Sequence, residues 1–130
     1  MFITREMDYC VRIIRALYRK GMLSAGEIAD LENMPQAITY KMLKQLTHAG
    51  VIKSFRGAEG GYQLAISPTH TTLLDLFNQL GIELLVNRCL KPGYVCENID
   101  CGICGAHQEF ERIQGSLNKE LSARPISEFL

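Results

Sequence analysis

Four of the chain's five cysteines, Cys89, Cys96, Cys101 and Cys104, fall within sixteen residues. Pro92, Gly93, Gly102 and Gly105 punctuate the same stretch, so it can form neither a buried strand nor an unbroken helix. Thiolates gathered by a flexible loop are the donor set of a soft metal or an iron–sulfur group. Residue types and spacing leave three chemistries open: an iron–sulfur cluster, a tetrahedral zinc site using Cys101-x-x-Cys104, and a metal-free thiol sensor. No Ser/His/Asp order or phosphate-binding loop accompanies the cysteines, and the three histidines do not form a site together. The sequence therefore predicts a protein that is not an enzyme.

Composition bounds the frame around this loop. The 130 residues suit one domain, or one domain with an appended arm. Hydrophobic residues make up 47%, enough for a core, and no run reaches the roughly 18 apolar residues of a membrane span. Residues 1–8 lack the apolar run of a secretory signal, which predicts a cytoplasmic protein. There, clustered thiols are metal-binding or redox-active more often than cross-linked, and an odd count fits a disulfide set poorly. Net charge is zero, yet residues 1–66 hold 9 Lys/Arg against 6 Asp/Glu and residues 67–130 hold 5 against 8. The basic half is where a DNA-reading pattern lies.

That pattern begins with a helix over Arg5–Lys20, apolar at Met7, Val11, Ile14, Leu17 and Tyr18 and stopped by Gly21. Ser24 with Glu27 reads as a capping box opening a short helix whose inward residues are Ile28 and Leu31. Asn33-Met34-Pro35 turns the chain, with Pro35 expected at the first position of a third helix running to about Ala49. Ile38, Met42, Leu43 and Leu46 share one face of it, and Gln36, Ala37, Tyr40, Lys41 and Lys44 the other. Two short helices joined in this way form a helix-turn-helix. Residues 51–55 and 62–66 then read as strands flanking Arg56-Gly57-Ala58-Glu59-Gly60-Gly61, a hairpin in the position of a wing.

A further amphipathic helix spans Thr71 to about Gly81, and the cysteine loop follows it. Phe110, Ile113, Leu117 and Leu121 step by 3, 4 and 4 along a last helix ended by Pro125. A single apolar stripe on a polar helix must be covered, and a second copy of the chain is the expected partner. Cys10, among apolar helix positions, is expected to be a small buried hydrophobe. Residues 1–67 are thus a winged helix-turn-helix region and residues 68–130 a cysteine-loop and dimerisation region. The fold class is α+β and mostly helical.

Asp8-Tyr9-Cys10-Val11-Arg12 and Arg56-Gly57-x-x-Gly60-Gly61-Tyr62-x-Leu64-Ala65, in this order of elements, resemble the Rrf-type family of bacterial winged-helix repressors. That family includes the iron–sulfur cluster regulator and the nitric-oxide-sensitive repressor, and the resemblance covers nearly the whole chain. It implies a homodimer, a C-terminal dimerisation helix and, in many members, a cluster held by three cysteines. Aligning Cys104-Gly105-Ala106-His107 with the family's final Cys-x-x-His makes Cys89, Cys96 and Cys104 the trio and Cys101 an extra thiol. The other register takes Cys101 as the third ligand, with a more usual loop length and a poorer fit to the dimer helix. His107 and Asp8 are implied as competing fourth ligands, Asp8 reaching across the dimer. For Asp8, an i,i+4 pair with Arg12 explains the residue equally well.

The expected function is a sequence-specific transcriptional regulator, read as a repressor. It would bind double-stranded operator DNA as a homodimer, without membrane attachment. Its control would come from an iron–sulfur cluster (2Fe-2S or 4Fe-4S) sensing redox, iron–sulfur status or nitric oxide. The alternative keeps the winged helix but gives the loop zinc or free sensing thiols. Gln36, Ala37, Tyr40, Lys41 and Lys44, with Arg56 and Gly57 in the wing, are the expected DNA contacts. Tyr62 is expected to pack the wing rather than touch DNA.

Overall fold

A computed structural model describes residues 2–98 and 102–130. Helix α1 (Arg5–Lys20) opens at Thr4, whose hydroxyl accepts from the Met7 N–H at 3.3 Å, and closes at Gly21, where φ is +78°. Helix α2 (Ala25–Leu31) carries the expected capping box: Ser24 N–H donates to Glu27 at 2.7 Å, and Glu27 N–H donates to the Ser24 hydroxyl at 3.2 Å. Asn33 takes a positive φ of 50° in the turn. Pro35, expected inside the third helix, caps it instead with an extended ψ of 135°, so α3 runs Gln36–His48. Helix α2 packs on α3, and both pack on α1, the arrangement of a helix-turn-helix.

Strands β1 (Ile52–Phe55) and β2 (Gly61–Leu64) form an antiparallel hairpin in register Ile52↔Leu64 through Phe55↔Gly61. The first starts one residue later, and the second ends two residues earlier, than the sequence predicts, because Val51 and Ala65 are joined only by the Ala65 N–H to Val51 C=O bond. On its other edge, Tyr62 exchanges both backbone bonds with Leu23, at 3.1 and 2.7 Å. This bridge ties the wing to the segment before α2, a pairing that the sequence pattern does not reveal.

The wing glycines are explained by the chain's own backbone. A Cβ at Gly60 would sit 2.3 Å from the Phe55 carbonyl oxygen, and one at Gly61 would sit 2.6 Å from that of Leu23. Only Gly57 (φ +105°) has open space beside it. Gly60 and Gly61 let the strands meet; Gly57 sits at the solvent-facing tip.

Helix α4 (Leu73–Gln79) begins at a further capping box, Thr72 with Asp75. A 3-10 turn at Arg88–Leu90 precedes α5 (Gly105–Leu121), and another at Ile126–Glu128 ends the fold. The core joins Met7, Cys10, Ile13, Ile14 and Leu17 of α1 to Ile28, Met42, Leu43, Leu46, Val51 and Ile52. Leu76, Phe77 and Ile126 belong to the same cluster, so the regions 1–67 and 68–130 share one core. Each fully buried aliphatic or aromatic side chain here stabilises the fold by about 1.5–3 kcal/mol. Cys10 is 1% exposed beside the Met42 sulfur at 3.9 Å, and burial pushes its thiol up to about 11. It is the inert small hydrophobe expected.

Two inward residues are corrected. Leu31 is 50% exposed, because the buried face of α2 centres on Ala25, Ile28 and Ala29, more than a quarter turn away at 3.6 residues per turn. Tyr18 is 42% exposed in the last turn of α1, where an amphipathic ring can keep its hydroxyl in water.

Candidate functional site

Helix α3 turns Ile38, Thr39, Met42, Leu43 and Leu46 inward and leaves Gln36, Ala37, Tyr40, Lys41 and Lys44 exposed. That division is the one the sequence predicts, with buried Thr39 added to the inward face. No side chain caps the start of α3, so its first backbone N–H groups are free for an acceptor such as a phosphate oxygen. Between α3 and the wing runs an open groove of about 830 Å³, lined by Tyr40, Lys41, Lys44, Gln45, Thr47, His48, Ser54 and Tyr62. Arg56 and Gly57 stand exposed at the wing tip beyond it.

Gln45, His48, Ser54 and Tyr62 are not among the contacts expected from sequence. Gln45 and His48 continue the exposed stripe four residues after Lys41 and Lys44, a signal the sequence does contain. Ser54 and Tyr62 meet only through the cross-strand register, which sequence spacing does not reveal. Tyr62 thus packs the wing, as expected, and also lines the groove.

The second site lies at the start of α5. Cys89 sits in the Arg88–Leu90 turn, where its N–H donates to the Asn87 side-chain oxygen at 3.1 Å. Cys104 caps α5, its sulfur accepting from the His107 N–H at 3.4 Å. His107 Nδ1 lies 3.4 Å from Cys89 Sγ, while its Nε2 lies 3.5 Å from Glu111. Cys89, Cys96, Cys104 and His107 line one cavity of about 550 Å³, together with Tyr94, Ile103 and Phe110. Cys10, Cys89, Cys96 and Cys104 are all free thiols. Among the described residues, no three His, Cys, Asp or Glu side chains converge closely enough for a single metal ion. Cys101 lies outside the described residues.

Asp8 is not among the residues lining this cavity. Its carboxylate pairs with Arg12 at 3.0 Å and Arg5 at 3.7 Å on α1, the helical pair that the sequence offers as the plainer explanation. Both arginines also stand over the Tyr9 ring, at 4.9 and 6.0 Å.

The apolar stripe of α5 is partly uncovered. No residue of the helix is fully buried, Ile113 is 38% exposed, and Phe110 and Leu117 are half-buried. The face that meets the chain's own α4 and 82–92 segment carries Gln114 instead. Its side chain donates to Leu84 C=O at 2.9 Å and accepts from Val86 N–H at 2.8 Å. Leu121, at the end of the stripe, is half-buried and also packs against the intrachain core.

A helix-turn-helix followed by a hairpin wing defines the class: a winged-helix DNA-binding fold, here with a thiol-lined cavity attached. The chain belongs to the Rrf2 family, described as iron-dependent transcriptional regulators, which matches residues 3–130. It is 28% identical to protein aau3 of Rhizobium meliloti over all of this chain and 91% of that one. It is similar in structure to CymR, the global cysteine regulator of Bacillus subtilis, with a TM-score of 0.73 and 26% identity across 96% of this chain and 92% of that one. The fold is shared with the T. potens IscR structure, at a TM-score of 0.69 and 20% identity over 96% of this chain and 82% of that one. The protein is therefore a transcriptional regulator with a DNA-binding fold, from a family without enzymatic activity. Among the described residues, no helix is long and apolar enough to cross a membrane.

Proposed function

We propose that the chain is a homodimeric repressor whose affinity for operator DNA is set by an iron–sulfur cluster in the cysteine-lined cavity. The observation carrying this reading is that Cys89, Cys96, Cys104 and His107, separate in sequence, line one cavity at the base of α5. Three soft thiols and an imidazole suit such a group, and the family description is iron-dependent. Cys89, Cys96 and Cys104 would hold it, with His107 the nearest candidate for a fourth ligand. When bound, the cluster supplies a centre whose charge and integrity change on oxidation or nitrosylation.

The residues around the cavity offer a route to the DNA face. Phe110 lines the cavity and also belongs to the partly open stripe of α5, so a change in the loop reaches the surface proposed to pair two protomers. Gln114 ties α5 to Leu84 and Val86, just beyond α4, and α4 shares the core with α3. A bound group alters DNA affinity only if it favours one arrangement of the two recognition helices over another.

The test is visible and electron-paramagnetic spectroscopy of protein purified without oxygen, alongside operator binding before and after the chromophore is destroyed. Iron, sulfide and a brown chromophore that alters binding are expected. Stoichiometric zinc without iron would replace this reading with a structural zinc site. A second reading rests on the Cys89–His107–Glu111 line, which sets an imidazole nitrogen against a free thiol at the cavity. Colourless, metal-free protein whose DNA affinity changes on mild peroxide treatment would establish that thiol sensor.

A further inference from the structure

Lys41 stands on the exposed face of α3, yet its ammonium already has a partner. Glu6, in the first turn of α1, accepts a hydrogen bond from Lys41 Nζ across thirty-five residues of sequence. Side-chain exposures of 59% for Lys41 and 56% for Glu6 make the pair a minor contributor to folding. Helix α3 carries no acidic residue of its own. A carboxylate is therefore delivered to the edge of the recognition face by another helix, where it would repel any phosphate that came close.

An unrestrained lysine is a mobile point charge that attracts the phosphates of every duplex alike. Bound to a carboxylate, it is locally neutral and gains little from displacing counterions. Its two remaining N–H donors are still available, and the O6 and N7 acceptors of guanine call for directed donors. The carboxylate could in turn accept from the cytosine amino group.

We infer that Glu6 is a specificity-determining residue: by pairing with Lys41 it removes that lysine's non-specific phosphate attraction and leaves a hydrogen-bonding couple suited to base edges. This rests on the proposed reading of α3 as the helix that enters DNA. Arg5, Asp8 and Arg12 pair among themselves on α1 and leave Glu6 to Lys41.

The experiment compares the full chain with Glu6→Gln on two probes, a random-sequence duplex and a duplex selected by the wild-type protein from a random library. Binding is measured across a range of salt concentrations. Glu6→Gln should tighten binding to random DNA several-fold at low salt and steepen the log K against log salt slope by about 0.9 per protomer. The preference for the selected duplex should shrink. In a Lys41→Ala background the slope should stay unchanged and the tightening should shrink to the relief of carboxylate–phosphate repulsion, which isolates the pair. Glu6→Ala should repeat the Glu6→Gln result, and the thermal midpoint reports folding of each variant. An unchanged slope, or equal weakening on both duplexes in a folded variant, overturns the inference. Wild-type protein that binds no random duplex and enriches no sequence from the library removes the DNA-helix reading itself, and this inference with it.

Discussion

His107 Nδ1 lies 3.4 Å from the sulfur of Cys89, eighteen residues earlier in the chain. The contact joins the first turn of α5 to the Arg88–Leu90 turn, and Cys104 caps the same helix end with its sulfur on the His107 N–H. Two thiols and an imidazole are therefore gathered by helix geometry rather than by the loop between them. Cys104 and His107 fall on one side of a first helical turn, three residues apart, because a cap and the third helical residue always do. Cys104 thus stands beside His107 at the cavity, while Cys101 lies outside the described residues.

Replacing Cys89, Cys96 or Cys104 with Ser should each abolish the proposed chromophore, since each substitution removes a strong iron–thiolate bond. Cys101→Ser should retain it. His107→Ala should shift the spectrum, whereas Asp8→Ala should leave it unchanged, because Asp8 is engaged by Arg12 and Arg5. Absorption and paramagnetic spectra of anaerobically purified variants decide the matter. Loss of the chromophore in Cys101→Ser with retention in Cys104→Ser would reverse the register.

The exposed stripe of α5 makes the second prediction. Phe110, Ile113 and Leu117 are each partly open to solvent in one chain, and a second copy would cover them. Leu117→Glu would place an unpaired charge in that seam, a change that costs several kcal/mol when buried. Sedimentation should show a folded monomer or an aggregate in place of a dimer. Leu121→Glu should instead lower monomer stability, since Leu121 packs against the intrachain core. A Leu117→Glu protein that sediments as a folded dimer rules the seam out.

Local chemistry makes most of the fold legible in the sequence. The Ser24–Glu27 box, the Gly21 stop and the two faces of α3 follow from side-chain chemistry acting within a few helical turns. What sequence spacing hides is long-range. The Leu23–Tyr62 bridge depends on where β2 lies against a segment about forty residues earlier, and it alone explains why residue 61 must be glycine. Likewise, the candidate ligands can be named, but the Cys89–His107 contact depends on how α5 docks. Glu6 gives no signal at all, because its partner lies on another helix.

Acid should expose the capping carboxylates. Glu27 and Asp75 are both held below the ordinary carboxylate range, first by the backbone N–H of their cap residue and then by its hydroxyl. A depressed folded-state pKa contributes stability above the unfolded value and loses it as pH falls through the folded value. The double variant Glu27→Gln, Asp75→Asn should melt below wild type at pH 7. That gap should close as pH drops below about 4, the unfolded range for these groups. A gap independent of pH would assign the loss to something other than charge.

Phosphate and base contacts should separate on the recognition surface. Lys44→Ala and Arg56→Ala should weaken binding to every duplex and flatten the salt slope by about 0.9 for each phosphate left unneutralised. Gln36→Ala should change which base is preferred at one position, by about 1–3 kcal/mol if its side chain makes a paired hydrogen bond. Selection from a random library and salt titration read the two effects independently. If none of the three alters binding to a selected operator, this face does not meet DNA.

The wing glycines provide the sharpest separation of architecture from recognition. A Cβ at Gly61 would lie 2.6 Å from the Leu23 carbonyl oxygen, which is backbone and cannot rotate away. Gly61→Ala should therefore push β2 off Leu23, breaking the bridge at Tyr62 and costing about 1–3 kcal/mol, as for overpacking of a filled site. The loss should appear in thermal or urea unfolding without DNA present. Gly57→Ala meets no atom, but its φ of +105° disfavours a side chain, so its smaller loss should come from the tip alone. Were Gly61 reserved for the approach of DNA, Gly61→Ala would melt like wild type and lose only operator affinity. A wild-type melting curve for that variant would return Gly61 from the scaffold to the binding surface.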